Sequence, residues 1–164
     1  MSLADNNFSV PLNKNKKIKI KFEVDTNPPL GFYTDEKLLL KPFSCFIKCF
    51  SLPDLFAGKM HALLFRKWKN RVKGRDWYDF EWYVKNGVKL NLRHLIERAN
   101  QSNDLKEGIR LDEDLLYSII ADKIDSLDFN MVKDEVQRFV EDQTQLDIWT
   151  KEYFLQLAKS IKYK

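Results

Sequence analysis

The chain has 164 residues, 44% hydrophobic and 13% aromatic, with five Gly and five Pro; this suits one domain with a real core and excludes a disordered chain. No apolar run approaches the ~20 residues that span a bilayer and no signal-peptide pattern opens the sequence, so a cytoplasmic protein is expected. The net charge of +4 conceals a split, with 19 Lys and Arg against 10 Asp and Glu in residues 1–98 but 9 against 14 in residues 99–164. Either solvated surfaces differ by chance, or the first part meets an anionic partner such as a nucleotide or nucleic acid.

Residues 1–15, with Asn6, Asn7, Pro11 and Asn13, read as an irregular leader. From Lys16 the chain alternates: Ile18, Ile20, Phe22 and Val24 point one way, and Lys17, Lys19, Lys21, Glu23 and Asp25 the other. That pattern predicts a half-buried β-strand, stopped by Asn27-Pro28-Pro29 and the turn at Gly31. Residues 36–40 form a weak extended or helical segment, and residues 43–50 a second strand. Cys45 and Cys49 lack supporting ligands and are expected to be buried, reduced thiols.

Ser51-Leu52-Pro53-Asp54 reads as a helix start, with Ser51 available as the cap and Pro53 tolerated in the first turn. The helix is predicted over residues 53–69, its apolar stripe made of Phe56, Met60, Leu63, Leu64 and Trp68. After a basic connector and Gly74, a second helix starts near Arg75 and ends at Asn86-Gly87. Further helices are predicted at residues 91–101, 112–127, 130–142 and 147–161, which makes the chain α+β: a few strands first, then a helical remainder.

On the first helix Lys59 and Arg66 are seven residues apart and share a face, with the small Ala62 between them. From Lys59 to Arg75 there are seven Lys or Arg and no acid. This is either a solvated basic face or a cation set for phosphate oxygens. Asp76 and Asp79, three apart, place two carboxylates on one helix face. They serve chemistry, or else Arg75 and Asp79 pair within the helix and Asp76 favours the helix start. Glu23 and Asp25 share the polar face of the predicted strand, as metal ligands or as partners of neighbouring lysines. His61 and His94 have no companions at metal-ligand spacing, and surface or helix-packing roles are expected of them. Trp68, Trp77, Tyr78, Trp82 and Tyr83 are candidates to stack bases, but Trp77, Phe80, Glu81 and Val84 follow helical spacing, so most of these aromatics are expected in the core.

Taken together, the strand IKIKFEVDTNPP, the stretch FAGKMHALLFRKWKNRVKGRDWYD and the following FEWYV resemble the AbiEii/AbiGii nucleotidyltransferase toxin family. The ordered motif K-x-x-A-x-x-x-R followed by R-D-x-x-D falls here on Lys59, Ala62, Arg66, Arg75, Asp76 and Asp79. The resemblance implies a DNA polymerase beta-like nucleotidyltransferase core over residues 16–90, with residues 91–164 a helical region of the same domain. It implies nucleotide binding by Lys59, Arg66 and Arg75, catalysis by Lys59, Asp76 and Asp79, and an acidic metal position at Glu23 and Asp25. It also implies Mg²⁺ as cofactor, a nucleoside triphosphate as donor, tRNA as one acceptor, and a cognate antitoxin protein.

One departure qualifies this. Family members carry an upstream Gly-Ser or Gly-Gly turn and a D-x-D-type metal motif, whereas the first glycine here is Gly31 and residues 1–25 hold no such motif. The chain therefore resembles the C-terminal part of such an enzyme and is expected to be inactive by itself. The alternative is a non-catalytic RNA- or protein-binding module using the basic surface around Lys67–Arg75. A sheet edge left open by a missing half would also favour a homodimer.

Overall fold

The computed structural model describes residues 24–66, 73–106 and 108–164. The strand expected from Lys16, with Glu23, and the connector carrying Lys67, Trp68 and Arg71 lie outside the described residues; Val24 and Asp25, at the expected strand's end, are irregular. The architecture is α+β, a small sheet followed by helices, as expected. A β-hairpin comes first, β1 (Thr34–Leu39) and β2 (Cys45–Phe50), antiparallel from Thr34↔Phe50 to Leu39↔Cys45. Leu38, Phe43 and Phe46 are exposed. Cys45 and Cys49 are free thiols, half-buried rather than buried.

Two helices follow, α1 (Leu52–Phe65) and α2 (Gly74–Lys85). Pro53 sits in the first turn of α1 as expected, but Ser51 does not cap through its hydroxyl oxygen. Its Oγ donates to Asp54 instead. α2 ends at the predicted stop, with Gly87 at φ +63° in the left-handed region where a Cβ is costly. The two helices are antiparallel: Phe56 stacks on Tyr83 at 4.7 Å, and Lys59 meets Asp79 one turn further along.

Next come β3 (Lys89–Leu90) and α3 (Leu92–Gln101), the helix capped by Asn91 accepting from the His94 N–H at 3.1 Å. α3 runs alongside α1 in the same direction. Asn91 bonds to Asp54 at 2.6 Å near the start of both helices, and His61 meets Ser102 at 2.9 Å near their ends.

α4 (Glu113–Asp125), α5 (Phe129–Val136) and α6 (Lys151–Lys159) complete the helices, and β4 (Lys162–Tyr163) returns parallel to β3. Caps at Asp112, Asp128 and Thr150 fix the starts of these helices. The last helix is shorter than the predicted 147–161, because residues Gln143–Leu146 form a 3₁₀ turn and Trp149 precedes the Thr150 cap. Likewise α5 stops at Val136 and passes into a 3₁₀ turn over Gln137–Phe139.

One buried cluster draws on all these helices, from Phe56 and Met60 through Trp77 and Phe80 to Leu116, Ile120, Val132, Trp149 and Phe154. Trp77 meets Phe154 edge-on at 5.3 Å, and Trp149 meets it at 5.2 Å. Such aromatic pairs are worth ~0.5–1.5 kcal/mol beyond burial. The carboxylate of Glu81 is buried here, accepting from Trp149 Nε1 at 3.1 Å and from the Tyr153 hydroxyl. Burial, then the bond to Glu81 and its charge, push the Tyr153 hydroxyl's pKa up. α2 thus has two faces, one in this core and one turned toward α1.

Candidate functional site

The face of α1 opposite its core stripe carries Leu55, Gly58, Lys59, Ala62 and Arg66. With Asp76 of α2 and His94 and Arg98 of α3, these residues line an open groove of about 290 Å³. Phe50 and Asp54 close the end at the start of α1, while Arg66 stands at the other end. The spacing explains the lining: positions 55, 58, 59, 62 and 66 follow each other at three or four residues, one face of a helix. Ala62 keeps the floor low between the two cations.

Lys59, Arg66 and Asp76, singled out from the sequence, are therefore brought together. Lys59 Nζ lies 2.6 Å from Asp79 Oδ2, a pair that leaves both side chains partly exposed. Asp79 thus pairs across helices with Lys59 and not within its helix with Arg75. Arg75 is not a lining residue; its guanidinium sits 5.4 Å from the Phe139 ring centroid. Burial pushes the Asp76 carboxyl above the ordinary carboxylate range, against the pull of Lys59 and Arg66. A carboxylate with raised proton affinity beside two cations has the chemistry of a general base.

The end near Phe50 is built differently. Asp54 is buried yet fully engaged, accepting from Ser51 Oγ, from the Tyr33 N–H at 2.9 Å and from Asn91 Nδ2 at 2.6 Å. Burial raises its proton affinity, but these donors outweigh burial and hold its pKa below the usual value. His94 is buried with Nδ1 2.8 Å from the Leu30 carbonyl, and its ring lies beside Phe32 and Phe50. Asp54 ties the loop before the hairpin to the start of α1, and His94 ties that loop and Phe50 of the hairpin to the start of α3. His61 packs as expected, its Nε2 2.9 Å from Ser102 Oγ and 3.0 Å from Asp104 Oδ2. Burial pushes its pKa down despite Asp104. One imidazole nitrogen serves both groups, so this is not a nucleophilic relay.

Asp25 is exposed and accepts from the Asn27 N–H at 3.0 Å. Among the described residues no group of three or more His, Cys, Asp or Glu is placed to hold a metal ion. These residues alone therefore give Mg²⁺ no ligand set. Nor, among them, is any helix long and apolar enough to cross a membrane.

The sequence marks His94 for packing and singles out neither Asp54 nor Arg98 as a groove residue. Asn91, His94 and Arg98 do recur at helical spacing, but only the docking of α3 along α1 turns that face into a wall of the groove.

The family model described as nucleotidyl transferase AbiEii toxin, type IV toxin–antitoxin system, matches residues 5–157. The chain belongs to that family. No curated protein and no solved structure matches it.

Proposed function

We propose that this member of the AbiEii toxin family uses the groove between α1 and α3 as the phosphate-facing half of a nucleotidyl-transfer site. The observation that carries the reading is the convergence of Lys59, Arg66 and Asp76, from two separate sequence motifs, on one open groove. Lys59 and Arg66 hold the triphosphate of a bound nucleoside triphosphate through charge-assisted hydrogen bonds. Asp76 accepts the proton of an acceptor hydroxyl as its oxygen attacks the α-phosphorus. The new bond joins that oxygen to the nucleotide, the bond to the β-phosphate oxygen breaks, and pyrophosphate leaves. Asp79 positions Lys59 rather than meeting substrate.

Mg²⁺ belongs to this proposal as cofactor of the complete site, with Glu23 and Asp25 as the acidic position it would draw from this chain. When bound, the ion would neutralise phosphate charge and help align the attacking oxygen. The proposed acceptor is RNA, with tRNA the first to try, and the proposed protein partner is the cognate antitoxin.

The test is transfer of labelled nucleotide to total RNA in Mg²⁺, using the chain alone and with its genomic upstream sequence appended. Transfer that disappears in Lys59→Ala supports the reading. An extended chain that transfers nothing, yet binds RNA with steep salt dependence, favours the binding module instead.

A further inference from the structure

The groove has a third cation that neither motif contains. Arg98 stands on α3, across from the α1 face that carries Lys59 and Arg66, and lines the same cavity. Its guanidinium lies beside Gly58 of α1. A Cβ built at Gly58 would stand 3.8 Å from Arg98 Cζ and 3.9 Å from both Nε and Nη1. The guanidinium thus stands where a Cβ at position 58 would make ordinary van der Waals contact with it.

Its Nε is shut off from solvent and has no hydrogen-bond partner among the described residues. Buried donors are almost always paired, because an orphan forfeits its hydration without return. Asp25 is the carboxylate whose charge acts on Arg98, and it forms no ion pair with it, whereas Arg66 adds a like charge from the groove's far end. Two arginines and a lysine thus line one cavity with two carboxylates, Asp54 already held by its own donors and Asp76, and a donor on one of the arginines is unspent. Like charges gathered around a space are stabilised by an anion placed in it.

We propose that Arg98 is a third phosphate-binding residue, closing with Lys59 and Arg66 a clamp that holds a triphosphate from both walls of the groove. The planar guanidinium presents donors to two phosphate oxygens at once. The inference rests on the nucleotidyl-transfer reading, since it names the same triphosphate as ligand.

Inorganic triphosphate is titrated into the full chain by calorimetry, comparing wild type with Arg98→Gln, Arg98→Lys and Lys59→Ala; circular dichroism reports folding. The expected result is that Arg98→Gln weakens binding about tenfold or more, and that Arg98→Lys, which keeps the charge but not the fork, falls between. Folded Arg98→Gln with wild-type affinity, while Lys59→Ala is weakened, overturns the role of Arg98 and leaves the nucleotidyl-transfer reading intact. If Arg98→Gln does not fold, wild-type affinity in Arg98→Lys overturns it equally. A wild-type chain that binds no triphosphate overturns both.

Discussion

Lys59 Nζ and Asp79 Oδ2 lie 2.6 Å apart, twenty residues from each other in sequence and on antiparallel helices. Both are motif residues, so the motif contains its own internal ion pair. Because the pair is partly exposed, it adds little to stability, ~0–1 kcal/mol. Its effect is to aim the ammonium. Asp79→Asn is expected to leave the denaturation midpoint nearly unchanged while slowing nucleotide transfer about tenfold. Lys59→Ala is expected to weaken triphosphate binding as well. Paired kinetics and calorimetry on the two variants separate positioning from binding.

Asp76 sets the expected pH dependence of transfer. Its carboxyl titrates above the usual 3.8, chiefly through burial, and a general base must be deprotonated to act. The rate should therefore fall on the acid side at a pH above the ordinary carboxylate value and level off above it. Asp76→Asn removes the proton acceptor and should cost ~10²–10⁴-fold in rate, with no acid limb remaining. A pH–rate profile of the transfer-competent protein checks both.

Asp54 governs stability in acid with the opposite sign. Its donors hold the folded-state pKa below the unfolded one, so its stabilising contribution is complete above the unfolded value of about 3.9. That contribution disappears as pH falls through the lower, folded-state value. Asp54→Asn should be less stable than wild type at neutral pH and should lose less on acidification. Urea unfolding across an acid series measures the two slopes.

Gly74 opens α2 where no side chain fits. A Cβ there would run into the Val132 carbonyl oxygen and the Val136 side chain. The Gly74 N–H also donates to Glu135 on the same helix, α5. Gly74→Ala should destabilise by ~1–3 kcal/mol through overpacking, despite alanine's better helix propensity. Because Asp76 lies two residues on, a shift in this turn should also lower the transfer rate. Urea unfolding with a transfer assay on the same variant reports both.

The long helices could be read from sequence because their apolar stripes repeat at helical spacing, as Leu116, Ile120 and Ile124 do in α4. Periodicity overextends the final helix because Ile148 and Trp149 continue a plausible apolar pattern. Trp149 instead docks its indole N–H on Glu81, a tertiary contact that no local pattern encodes. The two-residue strands β3 and β4 carry too little sequence to announce themselves, since their pairing depends on the chain returning 73 residues later, from Lys89 to Lys162. In the groove, Lys59, Arg66 and Asp76 stood out by spacing and motif. Arg98 and Asp54 did not, because each acquires its role from the neighbouring helix.

The two faces of α2 give the C-terminal helices a part in the site that they never touch. Asp76 and Asp79 are held over the groove by the same rigid turns that anchor Trp77 and Phe80 against Phe154, and Glu81 against Trp149 and Tyr153. A chain cut after Val140 would keep every motif residue and lose the surface that orients them. The smallest unit able to present this groove therefore runs at least to α6, and trimming toward the motif would yield a sequence signature without a site.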